Sequence, residues 1–428
     1  MTIIRRLFIL AWFLIVLTMG CAPAPQSNSN STVSTQPSPS PSASPSPTTT
    51  TDTASVQITL PLLDALLTDD KFVARVKKDL NLNDQKIEEL KNVSGSAVAK
   101  LRESNTEDLE DNDFTDARAR AEEQLRTVLG EAKARDLAKL ANEYWSKGDA
   151  SEASNDNVQM SKGPNAVPTD TRVVVNIPAF RMDLFQDGSL VKSYKIGIGY
   201  PQFPLPLGLR RAQQIIFNPT WTPPDSPWVA KMKNVAPGET VKAGDKDNPL
   251  GPIKIPIGLP SLIHGGKSPA RIGKFASHGC VGLTNAQIKD FATMLGQASN
   301  TPDVSSKMAT YLEDETKTQT VKLNQTVPVE LRYETIVIED GKLHIYRDVY
   351  AQDTNTEENL RRVLEANGMK LEDLPEQQRT QILNALNSKP KKEVVIDLGT
   401  VAQKGYPAPV DLDTGNTDKR GSKPKITS

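Results

Sequence analysis

Cysteine is nearly missing from this 428-residue chain: there are two, Cys21 and Cys280, and no Cys-x-x-Cys pair. That scarcity excludes a disulfide-stapled scaffold and the common Cys-x-x-Cys zinc modules. Net charge is missing too, with 51 basic residues against 52 acidic ones. A chain so balanced offers no general electrostatic attraction to nucleic acid or acidic membranes. The apolar run Leu7 to Leu17 is too short for a comfortable membrane span, which takes about 20 residues. Histidine is rare as well. Of three in the chain, two, His264 and His278, lie near Cys280 in the sequence.

What is present starts with Arg5 and Arg6 ahead of that apolar run, which ends in Thr18-Met19-Gly20-Cys21. A basic start, a short apolar core and a small residue before the cut describe a secretory signal over residues 1–21. The Gly20-Cys21 step resembles the lipobox of bacterial lipoproteins, with Leu17 one position early and Thr18 in its usual place. The resemblance implies that Cys21 is acylated and anchors an exported protein to a membrane, facing the periplasm or cell wall. Arg5-Arg6-Leu7-Phe8 is also similar to a twin-arginine signal, and a cleaved signal with an incidental cysteine is the plain alternative. Residues 22–55 are Pro, Ser, Thr, Asn and Ala with almost no large apolar groups. Such a segment cannot offset its ordering entropy by burial, and its Pro-Ser repeats stiffen it into a tether.

Residues 56–148 have helical spacing: Leu62, Leu63, Leu66 and Leu67, then Ile87, Leu90 and Val93, then Leu125 to Tyr144. Asn83 and Thr115 are candidate N-caps, and Gly95 and Gly130 candidate breaks. The pattern predicts a small amphipathic bundle with a charged outer face. A polar linker, 149–170, follows. Then the period changes to β: Arg172 to Asn176, and two runs around Asp187-Gly188 that predict a hairpin. Further strands are predicted near Gln213–Phe217, Ile253–Ile257 and Val327–Tyr333, with one good helix at Asn285–Leu295. Residues 171–350 thus read as a mostly-β sandwich or barrel-like domain. Helical spacing returns at 357–388, and the last forty residues of the 351–428 extension read as loops. The fold class is α+β multidomain.

A thiol nucleophile needs a base, because a free thiol titrates near pH 8.5. His264, in Leu262-Ile263-His264-Gly265-Gly266, or His278, in Ser277-His278-Gly279-Cys280-Val281, can supply it. Gly279 permits backbone angles closed to other residues, and the N–H groups of Gly279 and Cys280 are candidate oxyanion donors. Thr284 is placed to cap the following helix, whose N-terminus favours a thiolate. An inert buried cysteine, or a zinc site of His264, His278 and Cys280, is the alternative reading of these residues. His344, on an alternating strand, reads as structural.

These residues resemble the L,D-transpeptidase catalytic domain of bacterial cell-wall enzymes. The signature is His-Gly, a spacer, then Ser/Thr-x-Gly-Cys; His264-Gly265 and Ser277-His278-Gly279-Cys280 match it in order and type. Asn218 to Pro224, Asp247 to Pro252 and Asp348-Val349-Tyr350 are similar too, so the resemblance spans 172–350. It implies that Cys280 is the nucleophile and His264 the base, that His278 helps orient the thiolate, and that Gly265 sits where its backbone orients the imidazole. It also implies a peptidoglycan stem-peptide substrate, a thioester intermediate, 3→3 cross-links, no metal or organic cofactor, and Ser277 and Trp221 beside the substrate. Water in place of the acceptor amine would make the enzyme an L,D-carboxypeptidase; decay of the loop would leave a wall-binding lipoprotein. One residue departs from the pattern: Gly282 stands where the family usually has Arg or Asn. Lys274 or Arg271, in the spacer, is the expected source of the missing charge.

Overall fold

The computed structural model describes residues 58–101, 111–147, 158–223, 229, 234–236, 238–258, 261–399 and 405–415. The signal, Cys21 and the tether lie outside the described residues. Five helices come first: α1 (Leu60–Leu66), α2 (Asp70–Asp79), α3 (Asp84–Leu101), α4 (Asp111–Leu129) and α5 (Glu131–Lys147). Their apolar stripes meet in one core around Leu63, Phe72, Leu90, Ala121, Leu137 and Trp145. Asn83 Oδ1 accepts from the Lys86 N–H at 2.9 Å and so caps α3. Gly130, at φ +79°, separates α4 from α5. Two expectations differ. Gly95 lies inside α3, because one glycine costs a helix only about 1 kcal/mol when its neighbours are packed. Thr115 lies inside α4, which begins at Asp111.

The β unit runs β1 (Arg172–Asn176), β2 (Arg181–Gln186), β3 (Ser189–Lys195), β4 (Ile198–Gly199), β5 (Gly208–Phe217), β6 (Ile253–Pro256), β7 (Leu262–His264), β8 (Phe275–Ser277) and β9 (Val281–Gly282). Two helices, α6 (Asn285–Ala298) and α7 (Val304–Tyr311), lead into the long strand β10 (Gln319–Arg332). One eight-stranded sheet has the order β3-β2-β1-β10-β5-β6-β7-β9, with β4 and β8 paired separately. The β2–β3 turn puts both Asp187 (φ +50°) and Gly188 (φ +80°) in left-handed conformations, which suits a two-residue hairpin. α6 covers the sheet through Ile288, Phe291 and Leu295, with Phe291 edge-on to Tyr194 at 5.6 Å. α7 is a second helix that spacing did not reveal, since eight residues give barely two turns of periodicity.

The remaining elements form a smaller layer: β11 (Ile336–Glu339), β12 (Lys342–Ile345), α8 (Glu357–Ala366), α9 (Glu376–Asn387) and β13 (Val394–Asp397). The three strands pair antiparallel in the order β11-β12-β13 and share a core with both helices. His344 sits on β12 and its Nδ1 meets Glu393 Oε1 at 2.7 Å. The tail is not frayed where it is described. Ser193 donates its N–H to Val410 O at 2.9 Å, and Gln287 Nε2 donates to Asp413 O at 2.9 Å. The tail's few apolar residues hid this, because backbone hydrogen bonds leave no trace in hydropathy.

Candidate active site

Strands β7 and β9 run side by side in parallel, pairing Ile263 with Val281 and His264 with Gly282. Ile263 and Val281 are fully buried in the sheet core. Side chains alternate along a strand, so His264 and Gly282 face the other way, and Cys280, one residue before Val281, falls on their side. The loop carrying Cys280 is tied down by Ser277, whose Oγ accepts the Cys280 N–H at 3.0 Å and donates to the Cys280 carbonyl. Gly279 has φ +90°, a conformation that demands glycine, and its carbonyl accepts from Ser261 Oγ at 2.9 Å. Because Ser277 holds the Cys280 N–H, that group is not a free oxyanion donor here. The Gly279 N–H has no partner among the described residues and is the loop's available donor.

His264 is 3% exposed, and its Nδ1 lies 2.7 Å from Gly265 O. A carbonyl only accepts, so Nδ1 carries the proton and Nε2 keeps a lone pair. Burial first, and then the Lys267 charge, push its pKa down to about 3, against the pull of the Gly265 and Leu250 carbonyls. Gly265 can take no side chain, since a Cβ there would stand 2.8 Å from Ile288 Cγ2. Asn285, at the start of α6, accepts the Gly266 N–H at 2.8 Å, and Thr284 caps that helix with a complete capping box. Cys280 is a half-buried free thiol. Burial pushes its pKa up, opposed by the Leu262 N–H and by Lys267. Burial thus favours the neutral form of both groups, the thiol of Cys280 and the imidazole of His264.

Residues 170–321 match the YkuD family, the L,D-transpeptidase catalytic domain. The match begins just before β1, ends in β10, and takes in the whole thiol loop. Over 125 residues the chain is 32% identical to the probable L,D-transpeptidase ErfK/SrfK of Escherichia coli (strain K12), covering 27% of this chain and 38% of that protein. The chain therefore spans well under half the length of that relative. Among solved structures, the catalytic domain of an E. faecium L,D-transpeptidase aligns over 39% of this chain and 98% of its own at 17% identity, with a TM-score of 0.25. An L,D-transpeptidase from Mycobacterium smegmatis aligns over 38% of this chain and 58% of its own at 15% identity, with a TM-score of 0.23.

Within and around the matched stretch the expected site residues separate into groups. Cys280, His264, Gly265, Ser277 and Gly279 gather where β7, β8 and β9 end, with Ser277 bonded to the Cys280 backbone and Gly265 O to the His264 ring. His278 is exposed and stacks its ring edge-on against Phe203 at 4.7 Å and Tyr200 at 5.5 Å. Protein crowding and the Lys267 charge lower its pKa. Trp221 pairs with Val241 and packs with Val229 and Val235 in a separate cluster. Arg271 and Lys274 line a recess of about 650 Å³ together with Lys195, Arg347, Lys391 and Lys392. The side chain that lies on Gly282 is a different cation, Lys267, beside which Arg271 also acts. A Cβ on Gly282 would stand 2.8 Å from Lys267 Cγ and 2.9 Å from Lys267 Cε.

Spacing missed Lys267 and also Trp145 of α5. The Trp145 indole lies over the thiol loop, its Cη2 3.3 Å from where a Gly279 Cβ would be. Only strand register could have exposed the first, and only tertiary packing the second. Among the described residues no three His, Cys, Asp or Glu side chains converge to hold a metal ion.

Proposed function

We propose that this chain is a peptidoglycan L,D-transpeptidase working through a thioester on Cys280. What supports the reading is the pairing of His264 on β7 with Gly282 on β9, two residues after Cys280, with the His264 Nδ1 proton committed to Gly265 O. As Cys280 Sγ attacks the carbonyl of the stem peptide's third residue, its proton passes to His264 Nε2. Collapse of the tetrahedral intermediate breaks the bond to the terminal D-alanine, whose amine leaves with that proton. An amine from a neighbouring stem then attacks the thioester, gives a proton to Nε2, and releases the thiol as a 3→3 amide forms. The bond energy held in the thioester makes a cofactor unnecessary. Acylation of Cys21 and the 22–55 tether would let the enzyme reach the wall from a membrane.

Incubation with a purified tetrapeptide donor, read by mass, tests this. The expected result is a donor adduct on Cys280 with loss of D-alanine, followed by cross-linked dimers, and no adduct in Cys280→Ala. Fragments without dimers would assign hydrolysis. An unmodified Cys280 under every condition would overturn the enzyme reading.

A further inference from the structure

Gly282 is glycine without a backbone reason. It does not occupy a left-handed conformation, unlike Gly279, Gly266 or Gly273. What excludes a side chain is the stem of Lys267: a Cβ on Gly282 would meet Lys267 Cγ at 2.8 Å, Cε at 2.9 Å and Cδ at 3.3 Å. Contacts under 3 Å are not tolerated without movement, so the lysine stem lies flat across the Gly282 Cα. Its root is fixed as well. The Lys267 N–H donates to Leu283 O at 3.1 Å, while the Leu283 N–H donates to His264 O at 2.9 Å, so the two chain segments stay in register past the end of β7.

We propose that Lys267 is the electrostatic partner of the Cys280 thiolate, and that Gly282 is the seat its side chain occupies. The inference rests on Cys280 being the nucleophile. Lys267 is half-buried; among the described residues it forms no ion pair with a carboxylate, and the charged groups that act on it are Cys280 and, in repulsion, Arg271. A cation left without an acidic partner is costly unless a negative charge forms beside it. Cys280, on the same face of the sheet, is where one forms. The field of Lys267 acts in one direction on the whole site: it favours the thiolate of Cys280 and disfavours the imidazolium of His264 and of His278. That combination keeps the base able to accept a proton and makes the thiol easier to ionise. A positive charge is thereby supplied from the facing chain segment, with a glycine at position 282 left to receive it.

The test is the pH dependence of iodoacetamide alkylation, read by mass on the Cys280-containing peptide of the full chain. Lys267→Met is expected to move the midpoint up by about one pH unit and to slow alkylation at pH 7.5 about tenfold, as loss of one nearby charge should. Lys267→Arg, which keeps the charge, is expected to stay within about threefold of wild type. Gly282→Arg alone should slow alkylation, because two long cations compete for one space, and adding Lys267→Ala should restore most of the rate. A Lys267→Met profile that superimposes on wild type, or a double variant no faster than Gly282→Arg, would overturn the proposal. A wild-type thiol inert at every pH would instead bring down the nucleophile reading, and this one with it.

Discussion

At the residue scale, the site is held by small groups doing one job each. Ser277 uses a single hydroxyl to accept the Cys280 N–H and to donate to the Cys280 carbonyl, so it fixes both ends of that residue's backbone. Removing that oxygen leaves a buried N–H and carbonyl without partners, at about 1–3 kcal/mol for the groups left unmade. Ser277→Ala is therefore expected to slow acylation of Cys280 by a carbapenem at least tenfold and to lower the thermal midpoint by a few degrees, whereas Ser277→Thr, which retains the hydroxyl, keeps most of the rate. Mass spectrometry and calorimetry read the two effects. Equal rates in Ala and Thr would show that the hydroxyl does not set the loop. Cys280, His264 and Gly279 stood out in the sequence because their types are rare and their spacing is local, and the fold brings them to the same end of the sheet. Lys267 did not stand out, since lysine is common and its meaning comes from the residue across the sheet.

At the element scale, legibility followed repetition. The Asp187-Gly188 hairpin and the long helices announce themselves through turn residues and sustained period. The two-residue strands β4 and β9 and the helix α7 do not, because so few positions carry no period. β13 was invisible for another reason: its partner β12 lies far upstream, and strand pairing at that distance has no sequence signature. What joins that outer layer to the large sheet is a buried ionic cluster. Arg181 on β2 donates to Asp183 at 2.8 Å and to Glu339 on β11, while the tail's Tyr406 donates to Asp183 Oδ2 at 3.1 Å. Buried pairs of this kind contribute little net stability, yet breaking one strands a charge at about 3–5 kcal/mol. Arg181→Met leaves both carboxylates uncompensated. It is expected to lower the unfolding free energy measured in urea by that amount and to expose the tail to proteolysis first, as limited digestion would show. Unchanged unfolding would mean that the two layers do not depend on this cluster.

At the scale of the whole molecule, the N-terminal bundle stops being an appendage. Thr59, ahead of α1, buries its hydroxyl against Gln202 O at 2.6 Å, and Val98 of α3 packs on Tyr200 and Phe203. Those same two aromatic rings hold His278, and the carbonyl of Phe203 lies close to the thiol loop. Trp145 completes the cover from α5, with its indole N–H buried and without a partner among the described residues. An unmade hydrogen bond in a buried contact costs about 1–3 kcal/mol, so the closed arrangement is held less tightly than its apolar area alone would give. Trp145 lies against Gly279, the residue before the half-buried Cys280, so a bulky reagent approaching that thiol meets the bundle first. Trp145→Ala and Thr59→Val, which loosen the cover at separate points, are thus expected to raise the rate at which a bulky maleimide labels Cys280 several-fold, with iodoacetamide labelling changed much less. The two reagents differ in size while attacking the same sulfur, so their ratio reports access and not thiol reactivity. If both variants leave that ratio at the wild-type value, the bundle does not guard the thiol.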